Sequence, residues 1–151
     1  EILDIAYDYT RRMEAVVSYV HNPNTEKSIN TSRSVMDFDK RKIYSIPADD
    51  PSKCYVLPNP YSLVRCIPDD AQYLGSTYLG PVSALPYDGW RFKMTNSDVM
   101  VTIAMSTTGC VPLVEGVSSG TENKTYLFTA FQPGIKNPEW FDLPASCASE
   151  H

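Results

Sequence analysis

The chain contains no apolar run near the roughly 18–20 residues that a membrane-spanning helix needs, so no such helix is expected. It has no basic surplus either, because 13 Lys and Arg are outnumbered by 18 Asp and Glu, which gives a net charge of −5. Nucleic-acid binding needs a basic surface that displaces phosphate counterions, so a nucleic-acid partner is not expected. The chain starts at Glu1 without a Met, and we expect either a removed signal peptide or a fragment.

Metal-binding and redox motifs are scarce. The two His lie far in sequence from the four Cys, and no two Cys form a C-x-x-C pair, so we expect no zinc site. An even number of Cys instead favours two disulfide bonds, with the pairing left open by the spacing alone. Two N-glycosylation sequons, at Asn30 and Asn123, agree with passage through the oxidising secretory route. We therefore predict a secreted, extracellular glycoprotein.

One motif resembles a catalytic one. Gly116–Gly120 matches the G-x-S-x-G pattern of hydrolase nucleophiles, and Asp142 and His151 follow in the right order. That chemistry needs a strand–turn–helix that raises the serine, whereas a sequon and then a strand pattern follow here. We predict a flexible loop of small residues and no catalytic residue, and a hydrolase that uses Ser118 remains the alternative.

Polar and apolar residues alternate along much of the chain, as in half-buried strands. The alternation over Tyr7 to Tyr19 predicts one long strand, and polar His21 to Ser34 predicts a loop. Val35–Phe38 and Ile43–Ile46 flank a charged turn at Lys40–Lys42 and predict a hairpin.

The rest of the chain predicts further strands. Pro-rich Pro47–Pro68 predicts a covering segment, and Ala71–Tyr78 a strand or sheet edge. Val99–Ser106 is apolar on both faces for part of its length, which predicts a strand inside a sheet, or one with one face on the core and the other on a ligand or partner. Tyr126–Phe131 predicts another strand, and Gly134–Asp142 a short helical turn that plugs the fold. The prediction is a mainly β protein, and 151 residues suit one domain.

A stripe of aromatic and Met side chains could be ordinary core or the wall of a ligand cavity, since such side chains make adaptable apolar surfaces. Arg91, Lys93 or Tyr side chains would then orient the polar end of a ligand. The predicted ligand-binding residues are Trp90, Phe92, Met94, Val101, Ile103, Met105, Tyr78 and Phe128.

Acidic pairs occur at Asp37/Asp39, Asp49-Asp50 and Asp69-Asp70. Solvated turns explain them, and calcium binding is the alternative because calcium takes oxygen ligands. Ser45–Asp50 is the place where calcium is conceivable, and we assign no metal ligands.

Several segments resemble ependymin-related proteins. Gly109–Leu113, followed by the run Gly134–Cys147, is similar to the closing signature of that family, and Ile43–Cys54 and Tyr73–Gly80 resemble earlier pieces of it. The resemblance covers roughly residues 35–147. It implies a secreted, usually glycosylated domain over residues 1–151, built from two stacked, strongly curved antiparallel sheets with one or two short helices. This half-barrel is like that of bacterial lipoprotein carriers.

The resemblance also implies the disulfide pairing and the function. Cys54 would pair with Cys147. The family partner of Cys110 lies near the N-terminus, where this chain has no Cys, so Cys66–Cys110 is expected as a replacement. Family members are associated with apolar ligands in a concave pocket, with dimers and with calcium.

Two hypotheses of function follow. The leading one is a non-enzymatic binding protein for a long apolar molecule, a lipid or carotenoid, held in the pocket or at an interface with an identical or related chain. The alternative is a calcium-dependent extracellular adhesion or signalling glycoprotein whose apolar face is a dimer interface.

Overall fold

A computed structural model describes residues 1–25, 27–95 and 97–148. The chain forms two compact units, a first unit of Glu1–Leu63 with Gly134–His151 and a second unit of Val64–Pro133. Two predictions reach residues outside this description: His151 ends the hydrolase pattern, and Asn96 begins the turn that the polar run Asn96-Ser97-Asp98 predicts. Within the described ranges, no helix is long and apolar enough to cross a membrane.

The first unit is an open, antiparallel, five-stranded sheet whose strands follow chain order. Its C-terminal part adds two 3-10 turns, Pro138–Phe141 and Ala145–Ala148. The strands are β1 (Ile2–Asp8), β2 (Met13–Asn22), β3 (Lys27–Asp37), β4 (Lys42–Pro47) and β5 (Tyr55–Pro58).

The prediction of one long opening strand is wrong, because the segment is the β1–β2 hairpin. The Asp8 carboxylate accepts hydrogen bonds from the Arg11 amide at 2.9 Å and Nε at 2.7 Å, and Arg12 adopts φ 55°. Such side-chain bonds to the turn backbone are a common way for Asp to reverse a chain. Since Tyr7 pairs with Glu14, Tyr7 lies on the face opposite Ala15 although the two share parity in sequence.

The prediction of a loop over His21–Ser34 is also wrong. Strand β2 runs to Asn22 and β3 begins at Lys27, and the described residues between them, 23–25, form a tight turn. The backbone ladder forms although residues 27–31 are exposed and polar apart from Ile29, and Asn30 therefore lies on a strand. The predicted β3–β4 hairpin with its charged tip is confirmed.

The core of the first unit lies on one face of this sheet. Ala15, Val35 and Tyr44 are cross-strand neighbours there and are buried. The C-terminal segment covers them with the buried ring of Phe141, over which the Arg11 guanidinium stacks at 4.5 Å. This arrangement confirms the predicted helical turn after Gly134 and explains its two aromatic residues.

The second unit is an open, antiparallel, five-stranded sheet in the order β10-β9-β8-β7-β6. Strand β8 is central, as predicted, and its alternate residues Val101, Ile103 and Met105 are buried. The strands are β6 (Gln72–Leu79), β7 (Leu85–Lys93), β8 (Met100–Ser106), β9 (Pro112–Ser119) and β10 (Glu122–Leu127).

Two predictions in this unit are wrong. Gly116–Gly120 is not a loop, because β9 continues to Ser119 and pairs with both β8 and β10. The last strand covers Glu122–Leu127 rather than Tyr126–Phe131, because the turn at Gly120, with φ 49°, sends the chain straight back along β9. Polar residues 122–125 fit a strand because they are exposed at the sheet edge.

Both disulfide bonds have the expected pairing, one within each unit. Cys54–Cys147 links the start of β5 to the C-terminal segment and belongs to the core of the first unit. Cys66–Cys110 closes the second unit, where Cys66 packs against the Val101 cluster and Cys110 is exposed. The mainly β class with two antiparallel sheets is confirmed.

Candidate functional site

A cleft of about 340 Å³ opens in the first unit. Its walls come from the core-side face of the sheet, from the segment after β4, and from the first 3-10 turn. This volume falls in the range of about 300–1,000 Å³ that is usual for small-molecule pockets. The lining residues are Val17, Tyr19, Asn30, Arg33, Ile46, Pro47, Ala48, Pro51, Glu139 and Trp140.

A β-bulge determines which side chains reach the cleft. The register between β2 and β3 shifts at Ser18/Tyr19, so that Ser18 pairs with Ser32 and Tyr19 with Asn30. The shift leaves one residue of β3 unpaired in the ladder, and this changes which alternate residues of β3 share a face. Asn30 and Arg33 therefore lie on the same face, three residues apart.

Arg33 fixes the wall that the C-terminal segment supplies. It lies opposite Val17 on β2 and Ile46 on β4. Its Nη1 donates hydrogen bonds to the carbonyl oxygens of Glu139 at 2.9 Å and Trp140 at 2.8 Å. These bonds tie the 3-10 turn to the sheet, and no ion pair with a carboxylate joins Arg33 within the described residues.

Tyr19 supplies an aromatic wall with an anchored hydroxyl. Burial, then the nearby Asp4 carboxylate and its hydrogen bonding, raise the pKa of the Tyr19 hydroxyl above its ordinary value. The phenol is thus neutral at physiological pH. Together with Trp140, it gives the cleft two rings that each combine an apolar body with a polar group.

The predicted ligand-binding residues all lie in the second unit. Six of them form one packed cluster together with Cys66, Ile67 and Val99. Three are only 4–8% exposed and the other three are half-buried. The six are Trp90, Phe92, Met94, Val101, Ile103 and Met105.

The other two predicted residues are not in this cluster. Tyr78 pairs with Pro86, which puts it on the same face as Trp90 but near the end of the strands, where it is exposed. Phe128 follows β10, and its amide donates to the Leu113 carbonyl at 3.0 Å. The predicted ligand role of all eight residues stays a prediction.

Arg91 and Lys93 do not border this cluster. They alternate with Trp90 and Phe92 along β7 and therefore point to the opposite face of the sheet. Lys93 is paired there with Asp98 at 2.8 Å, and this pair lowers the pKa of Asp98. Arg91 and Lys93 therefore do not face the Trp90 cluster, and their predicted role at the polar end of a ligand stays a prediction.

Glu115 is an acidic residue on the apolar face that the sequence analysis missed. It pairs with Ile103, which itself pairs with Trp90, so all three share a face. Burial raises the pKa of Glu115, and no other group contributes to the shift. The sequence could have indicated this position, because the alternate residues Leu113, Glu115 and Val117 have the pattern of an apolar strand face with one acidic residue.

A polar rim near Trp90 was also missed. The Tyr73 ring contacts the Trp90 ring with 5.0 Å between centroids, and the Tyr73 hydroxyl lies 2.5 Å from Ser76 Oγ. Ser76 in turn donates to the Asp88 carboxylate. The bulge at Gly75, with φ 125°, brings Tyr73 and Ser76 to the same face, which strand alternation alone does not indicate.

The hydrolase pattern does not form its required geometry. Ser118 lies within β9, between Met100 of β8 and Asn123 of β10, and is not at a strand–turn–helix. Across the described ranges, no group of three or more His, Cys, Asp or Glu side chains is placed to hold a metal ion. Near the conceived calcium segment, Asp50 is engaged by Lys53 at 3.0 Å and by Ser52.

The comparisons with known proteins agree with this architecture. The family profile named Ependymin matches residues 26–147. A relative, Ependymin-related protein 1 of Haliotis asinina, is 28% identical over 137 residues, an alignment that covers 82% of this chain and 68% of the relative. The matched range contains both disulfide bonds and most strands of both sheets. The chain therefore belongs to the ependymin family.

Proposed function

We propose that this protein is a secreted, non-enzymatic binding protein for a long apolar molecule of the acyl-lipid or polyene class. The cleft in the first unit is the observation that carries the proposal. Its walls combine aliphatic and aromatic side chains with a few polar groups. Such a combination holds the apolar body of a ligand and orients its polar end.

The lining of the cleft separates an apolar part from a polar border. Val17 and Ile46 form an apolar floor, while Arg33 places donors at its border. Because Arg33 uses one nitrogen for both wall carbonyls, its remaining N–H groups are available to a polar head. The body of the ligand would lie on the floor and its head near Arg33.

The half-buried aromatic face in the second unit is a second surface for the same class of ligand. Trp90, Phe92 and Met94 offer adaptable apolar contacts, and Glu115 and the Tyr73 rim offer polar ones. Secretion and glycosylation are supported by family membership, by two disulfide bonds and by the two sequons.

Extraction of natively purified protein with organic solvent tests the proposal. A visible absorption band would identify a pigment, and an acyl lipid found by mass spectrometry would identify a lipid. A stoichiometric apolar compound is the expected result. An extract that contains neither, from protein purified from its native source, would contradict it.

A filled cleft tests the location of the site. Ala48→Trp places a large ring in the cleft and leaves intact the backbone bond from its amide to Thr31. Ala84→Trp is the matched control, because Ala84 is exposed in the second unit. We expect Ala48→Trp to weaken binding of a fluorescent fatty-acid probe at least tenfold and Ala84→Trp to leave it unchanged. Equal binding by both variants would exclude the cleft.

A second candidate function is adhesion or signalling through a dimer. The sheet face of the first unit opposite the core carries exposed apolar side chains, with Ile5, Tyr7, Tyr55 and Leu57 between 38% and 54% exposed. Apolar patches of this kind are typical of protein interfaces. Sedimentation with and without a calcium chelator tests it, with Leu57→Lys as the interface variant. A monomer in both conditions would contradict this function.

A further inference from the structure

Asn30 belongs both to a glycosylation sequon and to the cleft. The sequon is Asn30-Thr31-Ser32, and the Asn30 side chain is exposed at the border of the cleft. Because the Asn30 side chain is exposed, its amide is accessible to modification. Because Asn30 borders the cleft, a group attached to it would lie next to the proposed ligand.

The β-bulge gives this position its significance. Without the register shift at Ser18/Tyr19, strict alternation would put Asn30 and Arg33 on opposite faces of the sheet. With it, Asn30 is the direct cross-strand partner of Tyr19, and Trp140 lines the same cleft. A group attached to Asn30 Nδ2 therefore starts beside the Tyr19 side chain, in a cleft that Trp140 also lines.

We propose that an N-linked glycan on Asn30 seats its first N-acetylglucosamine in the mouth of the cleft and so limits access of the apolar ligand. The C–H groups of a pyranose face pack against aromatic rings through dispersion contacts, and Tyr19 and Trp140 offer such rings. The part of the proposal that concerns ligand access rests on the proposed function of the cleft.

The modification is an ordinary group transfer. A lipid-pyrophosphate-linked oligosaccharide is the donor, and its bond between sugar C1 and the pyrophosphate oxygen breaks. A new bond forms between C1 and Asn30 Nδ2, which loses one proton, while the lipid pyrophosphate leaves with the electron pair. No oxidant or reductant takes part.

The second sequon provides an internal comparison. Asn123 lies on β10 opposite Ser118, which pairs with Met100, and Met100 pairs with Lys93. This row lies on the sheet face opposite the Trp90 cluster, and Asn123 is exposed and does not line the cleft. A glycan there extends into solvent, so the two glycans differ in surroundings and not in chemistry.

Substitution of the third residue of each sequon prevents attachment of the glycan. It therefore tests ligand access without a change in the residues that line the cleft. Ser32 adjoins Arg33 on β3 and points to the opposite face, so Ser32→Ala deletes the glycan and keeps Asn30. Thr125→Ala deletes the Asn123 glycan as the control. In full-length protein secreted by eukaryotic cells and stripped of lipid, we expect Ser32→Ala to bind a fluorescent fatty-acid probe at least fivefold more tightly. Thr125→Ala should bind as the wild type does.

A second measurement decides the seating of the glycan even if no variant binds the probe. Native wild-type protein is treated with peptide N-glycosidase, and release from each asparagine is followed by mass spectrometry. We expect slower release at Asn30 than at Asn123, and Tyr19→Ala or Trp140→Ala should accelerate release at Asn30 alone. Equal release from both sites, or an unmodified Asn30 in the secreted protein, would overturn the proposal.

The combined outcomes separate the two proposals. Tight probe binding that is the same with and without the Asn30 glycan would overturn the access role and leave the cleft as a ligand site. Failure of every variant to bind the probe would count against the proposed function, while slow release at Asn30 would still support a seated sugar.

Discussion

The two units have the same sheet architecture, but the charged residue on the apolar face of each sheet has different surroundings. Each is an open five-stranded antiparallel sheet, with Arg33 on the core-side face of the first and Glu115 on that of the second. Arg33 donates to two carbonyl oxygens of the segment that covers its sheet. Glu115 has a pKa raised by burial alone. A charge on an apolar face can thus organise a covering segment or remain a desolvated acid.

The two sheets also differ in what covers their apolar faces. In the first unit, a segment with two 3-10 turns reaches across the sheet and leaves a cleft between itself and the strands. In the second, the large side chains of Trp90 and Phe92 pack with Ile67 and the Cys66 disulfide directly on β8. The first arrangement leaves a cleft beside the strands, whereas the second leaves a half-buried aromatic face over a packed core.

The largest expected effects on stability come from the disulfide bonds, one in each unit. The chain-entropy model assigns about 5 kcal/mol to the Cys54–Cys147 bond and about 4 kcal/mol to Cys66–Cys110, from separations of 93 and 44 residues. Replacement of both Cys of each pair with Ala, followed by urea unfolding, should give losses in that order.

Exposure adds a kinetic contrast between the two bonds. Cys54 and Cys147 are buried, whereas Cys110 is exposed. A dilute thiol should therefore reduce Cys66–Cys110 first, as measured by alkylation and peptide mapping. Earlier reduction of Cys54–Cys147 would contradict the burial that we assign to the first core.

Next in size is the loss of a core aromatic in the covering segment. Phe141 is 5% exposed in the first unit and Phe131 is 55% exposed in the second. Phe141→Ala should destabilise the protein by about 3–5 kcal/mol, because it removes a buried ring and leaves a cavity. Phe131→Ala should change the free energy of unfolding by less than about 0.5 kcal/mol. Similar losses in thermal unfolding would refute a core role for the covering segment.

A smaller effect is expected from Arg33. Arg33→Met keeps an unbranched apolar stem but removes both hydrogen bonds to the 3-10 turn, at a cost of about 2–3 kcal/mol. Arg91→Met, on an exposed face in the second unit, is the control and should be nearly neutral. Hydrogen exchange should accelerate in residues 138–141 of the Arg33 variant only. Unchanged exchange there would mean that Arg33 does not hold the turn.

The smallest effect concerns Glu115 and depends on pH. Because its pKa is raised in the folded state, the folded protein holds this proton more tightly than the unfolded chain does. The stabilisation is complete below the ordinary pKa of Glu and is lost as pH rises through the raised value. Glu115→Gln should therefore be more stable than wild type at pH 7, by a fraction of the about 1–3 kcal/mol of an unsatisfied buried group.

The matched control for this prediction is Glu122→Gln, since Glu122 is exposed beside Lys124 at 3.6 Å. The difference between Glu115→Gln and wild type should vanish near pH 4. A Glu115→Gln variant that is less stable at pH 7 would point to a favourable partner for the carboxylate.

Strand patterns that depend on local alternation were predictable from the sequence. The β3–β4 hairpin and central strand β8 follow from short apolar alternation next to clear turn residues. The β1–β2 hairpin was not predictable from alternation. Its four-residue turn reverses the chain, but the residues of one polarity stay at odd-numbered positions on both sides of the turn. Polar strand segments such as 27–31 and 122–125 were also not predictable, because backbone hydrogen bonds rather than apolar burial hold them in the sheets.

The cleft was not predictable because its residues come from four separate segments of the chain. Val17 and Tyr19 lie on β2, Asn30 and Arg33 on β3, and Ile46 on β4, while Trp140 follows far later. The bulge that puts Asn30 next to Arg33 has no Gly or Pro to mark it. The resemblance, by contrast, predicted the Cys54–Cys147 pair, and the missing N-terminal Cys of the family pattern led to Cys66–Cys110 as its replacement.

Photolabelling would test most directly whether the cleft is the ligand site. A diazirine-bearing fatty acid, bound to lipid-free Ser32→Ala protein and activated by light, can be mapped by mass spectrometry of peptides. Label on the peptides that contain Val17–Tyr19 and Trp140, competed by unlabelled fatty acid, is the predicted result. Label confined to the second unit, on residues 90–105, would contradict the account.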